Sequence, residues 1–129
     1  MQKKVINPWV WQNERSYSQA IEVSQAVSTL YISGQTAIND KGISSAAEMA
    51  VQLEEAMYNL GKVIEEAGYQ CKNIVRLNVY TTSVDEFMQS FSVFQAWVAR
   101  HNIQQATTLI EVKSLFESLK IELEATAVK

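Results

Sequence analysis

Apolar and polar residues alternate strictly from Lys120 to Val128: Ile121, Leu123, Ala125 and Ala127 fall on one side, and Glu122, Glu124, Thr126 and Val128 on the other. Successive side chains of a strand point to opposite faces, so the run predicts a β-strand with one face in the core and the other bearing two carboxylates. At about 3.3 Å of rise per residue, the Cα atoms of those glutamates stand roughly 6.6 Å apart. Tyr17–Val23 alternates in the same way, Val27–Gln35 and Ile74–Thr82 are denser runs of β-branched and aromatic residues, and Thr107–Val112 is a further strand candidate. Within Ile74–Thr82, Val75, Leu77 and Val79 are expected inward, opposite Arg76, Asn78 and Tyr80. Gly34 interrupts the second run, and a glycine inside a strand signals a bulge or a close backbone approach.

Between these runs the period lengthens to that of a helix. Met49, Leu53, Ala56, Met57, Leu60, Val63, Ile64 and Ala67 form one apolar stripe, with Gln52, Glu54, Glu55, Glu65 and Glu66 expected on the solvated side. Ser45-Ala-Ala-Glu48 has the form of a capping box, and Gly68 stands where a helix commonly ends in a left-handed residue. Ser83-Val-Asp-Glu86 repeats the box, and Phe87, Phe91, Phe94 and Val98, with Trp97 alongside, predict a second amphipathic helix ending near Arg100–Asn102. The order is strand, strand, helix, strand, helix, strand, strand, which predicts an α+β fold with two helices packed on one face of a mixed sheet. The other face, with Arg76 and Tyr80, is left bare, and such a face commonly finds a partner. Trp9 and Trp11, after Pro8, are expected to cover a core edge or a subunit contact.

With 129 residues and no break in composition, the chain reads as a single domain over residues 1–129, long enough to bury roughly two-thirds of its unfolded surface. No apolar run approaches the length of a membrane span and no leader-like segment opens the chain, so a cytoplasmic protein with no membrane association is expected. The net charge is −3 and the 11 basic residues are scattered, which excludes the basic footprint that nucleic-acid binding needs. Phosphate loops and CxxC or HExxH patterns are absent, and neither metal nor cofactor is expected. Cys71 is the one cysteine, which leaves no intramolecular disulfide, and it has no histidine near it in sequence to activate the thiol. His101, the one histidine, sits at a predicted helix C-terminus, where a protonated ring gains about 0.3–1 kcal/mol from the helix dipole. Glu122 and Glu124 fit a general acid and base pair, although alternate glutamates on a strand face more often serve simply as its solvated side.

The terminal Glu122-Leu-Glu-Ala-Thr-Ala-Val resembles the signature of the RidA/YjgF reactive-intermediate deaminases, also called the L-PSP endoribonuclease family. Tyr17-Ser-Gln19 resembles that family's first-strand motif, Ile32-Ser-Gly34-Gln35 its second, and Asn59-Leu60 with Ala67-Gly68 its long helix. The resemblance implies a chorismate-mutase-like fold and a homotrimer whose sheets form a central barrel, with small-molecule clefts between adjacent subunits. Active members hydrolyse enamines and imines, released by pyridoxal-phosphate dehydratases from serine or threonine, to a 2-keto acid and ammonia, without metal or cofactor. Carried over, Glu122 takes the place of the glutamate that orients the attacking water, and Tyr17 and Gly34 take cleft-lining places.

The carboxylate-clamping arginine does not carry over. The family's Pro-Ala-Arg-Ser motif aligns with Gln105-Ala106-Thr107-Thr108, so Thr107 stands in place of the arginine; Leu109 replaces the usual cysteine, and Phe91 an asparagine near the cleft. The site set implied is Glu122 as catalytic residue, with Tyr17, Gly34, Phe91, Thr107 and Thr108 as substrate-binding residues. An arginine holds a carboxylate through two charge-assisted bonds, and losing such a desolvated partner costs about 2–5 kcal/mol. The expectation is poor activity on 2-aminoacrylate and a cleft for a neutral, more apolar ligand, with Arg76 or Arg15 of a neighbouring subunit as candidate substitute cations. The alternative is a metabolite-binding or regulatory trimer without turnover. Ribonuclease activity conflicts with the acidic charge.

Overall fold

The computed structural model describes residues 1–129. Two strands, β1 (Gln2–Ile6) and β2 (Ala20–Ser24), pair antiparallel as a separate ribbon, with Ile6 opposite Ala20 and Gln2 opposite Ser24. The main sheet comprises β3 (Thr29–Gln35), β4 (Ile74–Thr81), β5 (Ala106–Glu111) and β6 (Ile121–Val128) in the order β3-β6-β4-β5. The β4–β5 pair is parallel and the others are antiparallel. Helices α1 (Met49–Glu66), α2 (Val84–Gln89) and α3 (Phe91–Arg100) complete the chain. The alternation in β6 is kept from Ile121 to Ala127: Ile121, Leu123, Ala125 and Ala127 are buried, and Glu122, Glu124 and Thr126 are half-buried on the other face, whereas Val128, expected on that second face, is buried as well.

The α1 stripe supplies Leu53, Ala56, Leu60 and Ile64 to a core shared with Leu77, Val79, Leu123 and Phe87. Leu123 lies in the central strand and is fully buried. Leu123→Ala is therefore expected to cost about 2–5 kcal/mol, read as a lower midpoint in urea unfolding. Gly68 takes a φ of +77° and closes α1, with its N–H on the Glu65 carbonyl and the Tyr69 N–H on that of Ile64.

Several expectations need correction. The Ser45 box does not cap α1, which begins at Met49; the Ser45 hydroxyl accepts from the Ala47 N–H in a local turn. Gln52 is not solvated but fully buried: its amide nitrogen donates to the carbonyls of Ala47 and Ser118, and its oxygen accepts from the Lys120 N–H at 2.8 Å. It ties the start of the helix to the entrance of β6. The predicted second helix is two, broken at Ser90, so three helices rather than two pack on the sheet; the aromatic stripe continues through the break because Phe87 meets both Phe91 and Phe94 edge-on. Ser83 does cap α2, accepting from the Glu86 N–H at 3.2 Å.

In β4, Ile74 pairs with Ala127 and Arg76 with Thr126, leaving Val75 as the extra residue of a bulge. The bulge shifts the inward set by one residue at that end, so Ile74 is fully buried and Val75 is not. The strand expected from Tyr17 begins regularly at Ala20, because a 3₁₀ turn over Trp11–Arg15 ends in left-handed Ser16, and Ser18 makes only an isolated parallel bridge to Ala106. No helix is long and apolar enough to cross a membrane.

Candidate functional site

Pairing registers decide which implied site residues can meet. Glu122 lies opposite Tyr80, and Thr108 opposite Asn78, on the face that the helices leave open. Thr107 lies opposite Leu77, which is fully buried beneath the helices. Thr107 and Glu122 therefore occupy opposite faces of the sheet within one chain. The implied residues divide into separate groups, and no single-chain cleft unites them.

The first group is Gly34 with Glu122. Between Ile32 and Gln35 of β3, Ser33 and Gly34 together oppose one residue of β6, so Gly34 sits in a bulge. A Cβ placed on Gly34 would lie 2.5 Å from Cδ of Glu122 and 2.7 Å from its Cγ. The bulge and the close approach signalled by a strand glycine thus coincide here. The glycine is what allows the Glu122 carboxylate to lie across the β3 backbone. Gly34→Ala is expected to displace that carboxylate, which ends a flexible side chain, more than it destabilises the fold. A melting temperature within a few degrees of wild type, with a changed Glu122 position in a crystal structure, would show this.

The second group joins Tyr17 to Thr107 through Gln105. The Gln105 amide nitrogen donates to the Ser16 carbonyl and to Thr107 Oγ1, both at 2.9 Å, and the Ser18 N–H donates to the Gln105 carbonyl. Trp11 meets Tyr17 edge-on at 6.4 Å and stacks on Trp9 at 6.1 Å, while the Arg15 guanidinium lies 4.9 Å above the Trp11 ring. Trp9 and Trp11 are 56 % and 47 % exposed, so they do not seal a core edge. Phe91 stacks on Phe94 and packs against the core cluster rather than with Tyr17, Thr107 or Glu122.

A polar network absent from the sequence-based reading occupies the middle of the open face. Glu124 accepts from Asn78 Nδ2 at 2.9 Å and from the Tyr80 hydroxyl at 3.0 Å, and Arg76 Nη2 donates to Thr108 Oγ1 at 2.8 Å. The Asn78 and Tyr80 bonds, aided by Arg76, hold the Glu124 carboxyl below its ordinary range, and the Glu124 hydrogen bond raises the Tyr80 phenol. A depressed carboxyl favours the folded arrangement above its unfolded pKa and loses that contribution as pH falls through the folded value. Glu124 is thus held as an anion, whereas the Glu122 carboxylate accepts no hydrogen bond within the chain. The alternation of charges in β6 was the available signal for this network, and the partners Asn78 and Tyr80 lie at the matching period in β4.

Elsewhere, burial pushes the Cys71 thiol upward, which disfavours the thiolate a nucleophile needs. His101 sits at the end of α3, edge-on to Trp97. No cluster of three or more His, Cys, Asp or Glu side chains is placed to hold a metal ion.

A four-stranded mixed sheet with helices confined to one face is the architecture of Rid proteins. The Rid-family protein YyfB of Yersinia pestis, described as of unknown function, matches with a TM-score of 0.87 at 29 % identity across all of both chains. The YjgF protein of Escherichia coli matches with a TM-score of 0.72 at 29 % identity over 88 % of this chain and 87 % of that one. In sequence, the chain is 30 % identical over 113 residues to a RutC family protein of Aquifex aeolicus, covering 88 % of each. It is 29 % identical over 114 residues to the 2-iminobutanoate/2-iminopropanoate deaminase of E. coli, covering 88 % of this chain and 87 % of the relative. The model of the endoribonuclease L-PSP family matches residues 11–129. The chain belongs to this family, that of the RidA/YjgF proteins.

Proposed function

We propose that the protein works as a homotrimer in which Gly34 and Glu122 of one subunit face Tyr17 and Thr107 of the next across a shared cleft, and that it hydrolyses an imine or enamine lacking a carboxylate. The observation that carries this reading is the contrast between the two glutamates of β6. Glu124 is held by two donors, while Glu122 lies over a glycine with its carboxylate unengaged. An unengaged carboxylate is free to take a proton from water as the oxygen attacks the imine carbon. The proton then passes to nitrogen, the C–N bond breaks, and ammonia leaves a carbonyl product. The name of the E. coli relative, a deaminase of 2-imino acids, supports the reaction class.

Thr107 argues against the relative's own substrates. Its hydroxyl supplies one neutral hydrogen bond where two charge-assisted ones would hold a carboxylate. Ammonia release from freshly generated 2-aminoacrylate or 2-iminobutyrate is expected near the uncatalysed background. Robust turnover of either would contradict this assignment. Thr107 also leaves room for the alternative of binding without turnover; a ligand seen beside Tyr17 and Thr107, with every reaction indifferent to Glu122→Gln, would favour it.

A further inference from the structure

A cavity of about 590 Å³ beside Tyr17 has no charged side chain in its lining; its polar groups include those of Asn7, Asn13, Tyr17, Asn102, Gln104 and Gln105. Gln105 is 1 % exposed, borders this cavity and donates to Thr107, which stands just outside the cavity lining. Its orientation is fixed, because the Ser16 carbonyl can only accept and must face the amide nitrogen. The consequence is that Gln105 Oε1 is buried with no donor in the chain. A buried acceptor left in that state is unfavourable until a donor reaches it. Thr107, whose oxygen already accepts from Gln105, retains its hydroxyl hydrogen to donate.

One donor and one unfilled acceptor thus stand together on the segment that aligns with a carboxylate clamp. A carboxylate only accepts, so it would use the Thr107 hydroxyl but set its charge against Gln105 Oε1 with no cation in the cavity lining. A primary carboxamide offers a carbonyl to the first and an N–H to the second. We propose that the Tyr17 end of the cleft recognises a neutral carboxamide, with Gln105 and Thr107 as the specificity-determining pair. The substrate class is then the imine or enamine of a 2-oxo carboxamide. Water adds across its C=N bond, the C–N bond of the adduct breaks, and the products are the 2-oxo carboxamide and ammonia. For the reaction this rests on the proposed hydrolysis; for the binding it does not.

The test uses stable product mimics on the intact protein, titrating pyruvamide and pyruvate separately by calorimetry. Pyruvamide is expected to bind at least about tenfold more tightly than pyruvate, in line with the penalty a polar site imposes on a mismatched partner. Thr107→Val and Gln105→Met should each bring that ratio close to one. Gln105 is buried and ties β5 to Ser16, so its variant is paired with a melting curve; if it does not fold, Thr107→Val, at a half-buried position, decides the question. Equal or tighter binding of pyruvate, no binding of either compound, or a ratio unchanged by Thr107→Val would overturn the proposal. A preserved preference for pyruvamide with no turnover of any imine would instead contradict the hydrolytic reading and leave recognition standing.

Discussion

Thr107→Arg is expected to raise hydrolysis of 2-aminoacrylate from near background by roughly 30-fold or more, the lower end of the 2–5 kcal/mol that a desolvated charge partner commands. The guanidinium brings two parallel donors and a full charge to a place whose present side chain offers one hydroxyl. The substitution also removes the oxygen that accepts from Gln105 Nε2, a loss of about 0.5–1.5 kcal/mol in stability, while the Gln105 bond to the Ser16 carbonyl remains. Steady-state ammonia release, compared with a melting curve, separates the two effects. An arginine variant that folds and gains nothing would mean that position 107 does not face the substrate carboxylate.

Glu122→Gln carries the second large effect, in the opposite direction. A positioned general base contributes about 10²–10⁴-fold, and the amide keeps the shape of the carboxylate while losing its proton affinity. Stability should hardly change, because no hydrogen bond within the chain depends on that carboxylate. Glu124→Gln is the informative contrast: it replaces an acceptor engaged by both Asn78 and Tyr80, so its signature is a shift in the Tyr80 titration toward the ordinary phenol value. Kinetics of an accepted neutral imine would show the first variant silent, and ultraviolet titration would show the second altered at Tyr80.

Much of the sheet was legible because its central strand alternates without interruption. Ile121 to Ala127 carry their burial on the surface of the sequence, and the α1 stripe from Met49 to Ile64 does the same at helical period, except that Val63 is left exposed. What escaped detection depends on partners distant in sequence. Gln52 has the composition of a solvated residue, but the carbonyls of Ala47 and Ser118 and the N–H of Lys120 converge on it. The bulge at Val75 hides because both Ile74 and Val75 are apolar, so either fits the inward set. β1 has no buried face to generate a pattern; its residues are nearly all exposed and its pairing with β2 is through the backbone.

The residues of the candidate site stand out in the sequence by type, but their mutual geometry does not. Gly34 against Glu122 follows from a strand glycine and an alternating carboxylate, and the structure brings them into contact. The separation of Thr107 from Glu122 follows from parallel pairing of β5 with β4, a register that no local pattern encodes. Gln105 carries no signal in its residue type; its significance comes from complete burial and a missing donor.

Because the two halves of the proposed cleft lie on opposite faces of one sheet, the account stands or falls on whether chains assemble. Native mass spectrometry of the purified protein measures this directly. The account predicts a dominant species of three times the 14.6 kDa chain. A species of 14.6 kDa alone, at concentrations where the protein is active or binds ligand, would contradict it.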